Sequence, residues 1–441
     1  MDNILLNNRK FLESKKVFFG NPEKIKRLVS ILNRDRVILI SGIRFGGKTK
    51  FIKEMIEKTR IWEKAFYFNK ELDTLWKIKS STDLEKLVNR YSEKYQKPQI
   101  LILQNISKIK GIKWYIAKIY EEKKYKLIIA ENNLKIEGIE EIEIESVSVY
   151  DLLTSWKSDE IRSVDTNKKI KNILKHGSIE EVSLIQDIYM KEYLIEHIKT
   201  NIIAKDVIYA YSIKNSFLYN QTLSFLSSID SYISLRELGR RLEWNGINIS
   251  LITAIDYINF TLNSKLIQRV YRYDLKLGKE ITSKAKYYFA DTWIRNSISW
   301  VELNQDMLIE NLIHNELKKN WYTLQWWIYG RFEFDFIATS SEHENKPDIY
   351  IHISKQSDRN EIQKEARKLW KAELEIKPSP VETNIDIFSQ APIGHWEDKV
   401  LPTLQNIKKI LLVKDLDQIN IRKLNIAWVE IVDLYEFIGK M

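Results

Sequence analysis

The chain has 441 residues, enough for two to four domains at roughly 100–200 residues each. Hydrophobic content of 44% and aromatic content of 12% supply core for each domain and exclude global disorder. The absence of cysteine excludes disulfides and cysteine–metal sites, while 70 basic against 60 acidic residues leave a net charge of +10, an excess that permits nucleic acid or anionic lipid without demanding either.

No apolar run approaches the ~20 residues of a membrane span. The opening "MDNILLNNRKFLESKK" lacks a signal peptide's charged start, long apolar stretch and small-residue cleavage site. The expectation is a cytoplasmic protein without a membrane partner.

Residues 1–155 alternate apolar strands with amphipathic helices. Strands are predicted at Val37–Ser41, Ala65–Asn69, Ile100–Gln104, Leu127–Ala130 and Glu141–Glu145, with helices at Thr49–Lys58, Thr82–Tyr95 and Ile112–Lys123. Such alternation argues for an α/β fold, a parallel sheet covered on both faces. Between the first strand and the first helix lies Gly42-Ile43-Arg44-Phe45-Gly46-Gly47-Lys48-Thr49, which fits G-x-x-x-x-G-K-[ST] in the strand-then-helix context that motif requires. Its glycines let backbone amides close around phosphates, and the helix N-terminus adds positive potential. Lys48 would reach the outer phosphates of ATP, and the Thr49 hydroxyl would ligate Mg²⁺.

Residues 156–215 read as a polar helical connector without a clear motif. Residues 216–295 read as a winged helix. Ser234 caps a helix Leu235–Leu242 with Glu237 as capping-box partner, Asn245-Gly246 turns the chain, and Ser250 or Asn248 starts a second helix. A wing follows at Ile267–Tyr273 and Lys286–Phe289. Basic residues are sparse on the second helix, where Asp256 would oppose phosphates, whereas Arg236, Arg240 and Arg241 on the preceding helix could touch a DNA backbone. Residues 296–441 return to mixed α/β: a helix at "MLIENLIHNELKKN", adjacent strands at "FEFDFIATS" and "IYIHIS", a helix at "RNEIQKEARKLWKAEL", a strand at "KKILLVKD" and a final helix at "VDLYEFIGKM". The Trp321, Trp326 and Trp327 cluster reads as core, since no basic stripe interleaves it.

On these segments the chain resembles the bacterial and archaeal AAA-type ATP-binding proteins that carry a C-terminal domain related to restriction endonucleases. "VILISGIRFGGKT" looks like that family's start, with Phe45 where it usually has a second arginine. "SLRELGRRL" falls at its winged helix, and "KAKYYFADTWIRNSI", "LIENLIHNELKKN" and "FEFDFIA" look like its later signatures. The resemblance implies a P-loop NTPase sheet, a winged helix and a restriction-endonuclease-like α/β tail.

Against that pattern, the third core strand ends in Gln104 and Asn105, where the family has Asp-Glu. Amides bind Mg²⁺ far less well than carboxylates and cannot act as a general base. Loss of the base alone costs ~10²–10⁴ in rate. A displaced carboxylate is sought at Glu131, after "KLIIA", or at Asp73, after "FYFNKEL"; both also read as ordinary loop acids. Asn132 is a candidate contact for the γ-phosphate.

The nuclease-like tail departs similarly. Asp335 fits the expected metal-binding Asp, with Glu310 or Glu316 as a further acid. His352 and Ser354 stand where the pattern needs Glu and Lys, and Lys355 is one residue off, on the opposite strand face.

The sequence therefore predicts an ATP-binding protein with weak or no hydrolysis, acting as a nucleotide-dependent switch or assembly component with a protein partner or a second copy. The alternatives are an active ATPase with a displaced carboxylate, and a DNA-binding or assembly subunit whose nucleotide site is vestigial.

Overall fold

The computed structural model describes, with short interruptions, residues 37–132, 166–179 and 187–374, together with 140–143, 407–413 and 429–438. It divides into two compact units. The first combines residues 1–147 with 192–214 and 259–266; the second holds 148–191, 215–258 and 267–441.

In the first unit, five described strands form a parallel sheet in the order β2-β3-β4-β1-β5. They are β1 (Val37–Ser41), β2 (Ala65–Asn69), β3 (Ile100–Gln104), β4 (Lys126–Ala130) and β5 (Glu140–Glu143). In β1, β2 and β3 every residue is buried, which explains why their sequences run apolar without alternation. One face of the sheet, with Leu39, Phe66, Phe68, Leu101, Leu103, Leu127 and Ile129, shares a core with two helices. These are α2 (Ser81–Lys94), through Leu84, Leu87, Val88 and Tyr91, and α3 (Ile112–Glu122), through Tyr115, Ile116 and Ile119. The 3- and 4-residue spacings of both sets place them on single helical stripes. A reciprocal cap starts α2: Ser80 Oγ accepts from Asp83 N, and the Asp83 carboxylate accepts from Ser80 N. A further α-helix among the described residues is α1 (Lys48–Thr59).

The later stretches of this unit begin in α5 (Ile188–Asn201), which follows α4 (Thr166–His176) in sequence and runs into a π-helical stretch, Ile202–Ile208. Tyr211 stacks on Phe260 with ring centroids 4.2 Å apart.

In the second unit, seven strands run in the order β12-β11-β10-β9-β8-β6-β7. They are β6 (Ile267–Asp274), β7 (Lys279–Phe289), β8 (Tyr322–Tyr329), β9 (Phe332–Ser340), β10 (Asp348–Ile353), β11 (Ile407–Val413) and β12 (Val429–Asp433). Its helices among the described residues are α4, α6 (Ser216–Ser227), α7 (Leu235–Trp244), α8 (Leu251–Asn263, whose last turn belongs to the first unit), α9 (Thr292–Ile298), α10 (Gln305–Lys319) and α11 (Arg359–Leu374). Ile362, Ala366 and Leu369 of α11 pack on Trp327, Phe334, Ile337, Tyr350, Leu411 and Val413.

Several local expectations shift. Ser234 does accept from Glu237 N, at 3.1 Å, but the Glu237 carboxylate pairs with Arg241 at 2.5 Å instead of closing a capping box. Of the two proposed caps for α8, Ser250 takes the role, accepting from Thr253 N. The strands read as a wing, β6 and β7, are the edge of the seven-stranded sheet, because β6 meets β8 at Arg272–Trp326. Strand β8 was not anticipated; its tryptophans, read as core, are buried at Trp326 and Trp327, while Trp321 lies outside the described residues. The expected final helix starts inside a strand, since Val432 and Asp433 belong to β12.

Candidate nucleotide-binding site

Strand β1 delivers the chain to Gly42, and α1 carries it away from Lys48. Between them the backbone takes left-handed conformations at Phe45 (φ 64°) and Gly47 (φ 95°). A side chain built on Gly47 would meet nothing within 4 Å, so the glycine is required by its backbone angle rather than by crowding. Gly46 N donates to Ile43 O at 3.0 Å and closes the turn. The first-turn amides of α1 have no helical carbonyl to bond, which makes this helix start a seat for anions.

Lys48 Nζ donates to Gly42 O and, at 3.0 Å, to Ile43 O. Burial lowers its pKa to about 8; the nearby Asp206 charge works against that fall and Arg44 adds to it. Arg44 makes a fork: Nη2 and Nε donate to Asp206 at 2.6 and 3.0 Å, and Nη1 donates to Glu71 at 2.6 Å. Burial opposes the charge on Arg44, but Asp206 and Glu71 together more than offset it and hold the guanidinium protonated. Phe45, where the resembled family usually has a second arginine, is exposed.

At the end of β3, Gln104 Nε2 donates to Thr49 Oγ1 at 2.7 Å, and Gln104 Oε1 accepts from Tyr67 OH at 2.9 Å. Gln104 is only 4% exposed, so both ends of its amide are satisfied inside the protein. Burial pushes the Tyr67 phenol well up, so the phenol remains a donor. Asn105 follows at φ 56°, a conformation that asparagine tolerates better than most residues, and its Nδ2 donates to Asn69 Oδ1 at 3.0 Å.

The structure brings Glu131 and Asn132 to this neighbourhood. Asn132 Oδ1 accepts from Gly42 N at 3.1 Å, and its Nδ2 donates to Ser264 O at 3.2 Å. Glu131 is buried, with its carboxylate accepting from Ser107 N and Asn132 N at 2.9 and 3.0 Å. It is thus a structural acceptor, not a solvated loop acid. Asp73, the other displaced candidate, lies outside the described residues.

This donor set does not suit a protein-held Mg²⁺. The Thr49 hydroxyl faces an N–H, and Gln104 and Asn105 are neutral. The carboxylates that act on Lys48 are committed elsewhere: Asp206 and Glu71 to Arg44, Glu131 to two backbone amides.

In the second unit, Asp335 and Glu310, expected from sequence as metal-binding acids, stand beside a buried lysine that the sequence places in a wing. Lys286 Nζ lies 2.9 Å from Glu310, 2.6 Å from Glu333 and 3.7 Å from Asp335. Tyr288 OH also donates to Glu310, at 2.7 Å. Across the β9–β10 pair, His352 Nδ1 stands 3.0 Å from Asp335 Oδ2, and Nε2 lies 3.9 Å from Glu365. Ser354 Oγ donates to Glu365 at 2.5 Å. Burial works against the charged forms of both partners, yet each holds the other ionised: His352 is raised to about 9 and Asp335 lowered to about 2. Glu316 is not part of this cluster and pairs with Lys319, and Lys355 is exposed. Among the described residues no group of three or more His, Asp or Glu side chains is placed to hold a metal ion.

Asp206, Lys286 and Glu365 were not singled out from sequence. Lys286 left a signal, a lysine within the apolar run "AKYYF", since a buried ammonium requires partners. Asp206 left none that periodicity reveals.

Residues 34–147 match the profile of a family described as an AAA domain. Among full-length relatives, an uncharacterized protein of Haemophilus influenzae is 20% identical over 356 residues, covering 77% of this chain and 87% of its own. An uncharacterized protein of Methanocaldococcus jannaschii is 22% identical over 404 residues, covering 85% and 88%. Among solved structures, a Walker-type ATPase of Pyrococcus abyssi aligns with a TM-score of 0.46 and 11% identity over 65% of this chain and 99% of that one. No helix among the described residues is long and apolar enough to cross a membrane. The parallel sheet with the Gly42–Thr49 loop at the end of its first strand fits a P-loop NTPase fold, and over residues 34–147 the chain is similar to AAA domains.

Proposed function

We propose that this protein binds a nucleoside triphosphate of the ATP class at Gly42–Thr49, hydrolyses it slowly or not at all, and acts as a nucleotide-dependent switch. The observation that carries this reading is Gln104, held between Thr49 and Tyr67 at the end of β3. A neutral amide there neither accepts a proton nor activates water. The loop itself keeps the features phosphate binding needs: a left-handed Gly47, a helix start and a lysine. The switch is supported by Arg44, which ties the loop to Asp206 in the π-helical stretch, so charge arriving at the loop acts on that tie.

The test is nucleotide titration of the full chain with and without Lys48→Ala, followed by steady-state phosphate release. Expected are Lys48-dependent binding and turnover far below the roughly 1–100 per second typical of kinases. Turnover at ordinary rates, lost in Glu131→Gln or Asp73→Asn, would instead support the displaced-carboxylate reading. Absence of Lys48-dependent binding sinks the switch.

A second reading, an assembly subunit, is favoured by the tip of the α7–α8 segment, read here as a winged helix. Trp244 and Ile252 are largely exposed there, whereas Arg241 is tied to Glu237. An apolar tip suits a protein partner or a second copy better than a DNA backbone. In the same reading the second unit is a nuclease-like scaffold whose acids are neutralised by Lys286 and His352 rather than by metal. Sedimentation of the wild type against Trp244→Ala with Ile252→Ser, with and without duplex DNA, separates these partners.

A further inference from the structure

From the Gln104–Thr49 contact we infer that nucleoside triphosphate binding at this loop is independent of divalent metal: the metal-free triphosphate is a full ligand. The inference rests on the nucleotide-binding reading and sharpens its ligand.

In a P-loop that uses Mg²⁺, the threonine hydroxyl ligates the ion and a nearby carboxylate orients its waters. That carboxylate also repels a bare triphosphate, so the ion is needed to reconcile two anionic groups. Both halves of that arrangement are altered here. Thr49 Oγ1 accepts an N–H from Gln104 at 2.7 Å, which places the positive end of a dipole where a cation would approach. An amide turned end for end would still place a neutral group there, because Gln104 is pinned on its other side by Tyr67 at 2.9 Å.

Among the described residues, the surrounding acids are already engaged by other donors. Glu131 spends its two oxygens on Ser107 N and Asn132 N, and Asp206 and Glu71 are paired with Arg44. Asn105, the second amide, bonds Asn69 and is held in a left-handed turn. What remains for the phosphates is Lys48, the first-turn amides of α1 and an amide N–H at Gln104 that can donate to a phosphate oxygen. Every one of these groups favours an anion without a metal. A Mg²⁺ ion carried in with the nucleotide gains no carboxylate from the protein, and it keeps its waters and its phosphate oxygens, as Mg²⁺ readily does.

Calorimetric titration of the full chain with ATP, once in excess magnesium chloride and once in EDTA, tests this directly. The expected result is a Kd that agrees within about threefold between the two buffers, well under the tenfold that marks 1.4 kcal/mol. Gln104→Asp restores the anion, and its affinity in EDTA should fall at least about tenfold below its affinity in magnesium. Wild-type binding that drops more than about tenfold in EDTA overturns the inference while leaving the nucleotide reading intact. Binding absent from both buffers overturns the two together. Because the wild-type comparison needs no variant, a misfolded Gln104→Asp does not blunt the test, and Asn105→Asp offers a second route to the carboxylate.

Discussion

Arg44, in the phosphate loop, donates three hydrogen bonds to Asp206, 162 positions later in the chain. Both side chains are largely buried, at 20% and 10% exposure, so the pair is shielded from the screening that weakens surface ion pairs. The same carboxylate acts on Lys48. Asp206 therefore competes for the two cations that a triphosphate would use.

Asp206→Asn is expected to lower stability by about 2 kcal/mol, the scale of a charged hydrogen bond, because Glu71 still partners Arg44. The same change should raise ATP affinity severalfold by releasing Arg44 and Lys48 to face the phosphates. Urea unfolding and ATP titration on one preparation read both effects, and a loss of affinity would contradict the competition.

Lys48 gives nucleotide binding a pH dependence. Its folded pKa of about 8 lies below the ordinary 10.5, so the cost of burying its charge is fully present below pH 8 and is relieved as pH rises from 8 to 10.5. A bound triphosphate favours the charged form, so above pH 8 binding must take up a proton. Affinity should fall by up to about tenfold per pH unit there, by proton linkage. Calorimetry in two buffers of different ionisation enthalpy measures the proton uptake, and Lys48→Arg, whose guanidinium stays charged throughout this range, should abolish it.

The His352–Asp335 pair predicts two limbs in a stability–pH curve. His352 has a folded pKa of about 9 against an ordinary 6.5, so its contribution is complete below pH 6.5 and lost as pH rises through 9. Asp335, at about 2 against 3.8, contributes fully above pH 3.8 and loses its contribution as pH falls through 2. Breaking the pair with His352→Ala should cost about 2 kcal/mol, the scale of a charged hydrogen bond, because Lys286 and the Ile353 amide still face Asp335. The alkaline limb of the thermal midpoint should vanish in that variant.

Two backbone variants separate conformation from contact. Gly47→Ala meets no steric obstacle within 4 Å, yet should cost about 1–2 kcal/mol and weaken ATP binding, because alanine resists φ 95°. Asn105→Gly and Asn105→Ala both lose the bond to Asn69, so φ 56° should make Asn105→Ala the less stable of the two by about 1 kcal/mol. Thermal midpoints in both series provide the comparison.

The sequence made β1, β2 and β3 legible to the residue, because strands buried on both faces write uninterrupted apolar runs. The phosphate loop was legible because its glycines and lysine are fixed by local geometry. Strand β8 was not: "YTLQWWIY" alternates poorly, and its aromatic residues satisfy a helix face or a strand equally well. Gln104 and Asn105 could be placed at a strand end, but not their partners, since Tyr67 and Thr49 arrive from other elements. Asp206 lay beyond any local pattern, as its role depends on a loop 162 positions away. Pairings across such distances are set by tertiary folding and leave no periodic trace.

The unit that holds the phosphate loop is assembled from three separated stretches of chain, the last ending at residue 266. On a ribosome, β1 and the loop emerge early, but Arg44 must wait for Asp206, and Asn132 for Ser264. Residues through 264 are therefore synthesised before the loop has its full set of partners, and a nascent chain or proteolytic fragment ending near residue 147 would carry the motif without Asp206 and Ser264.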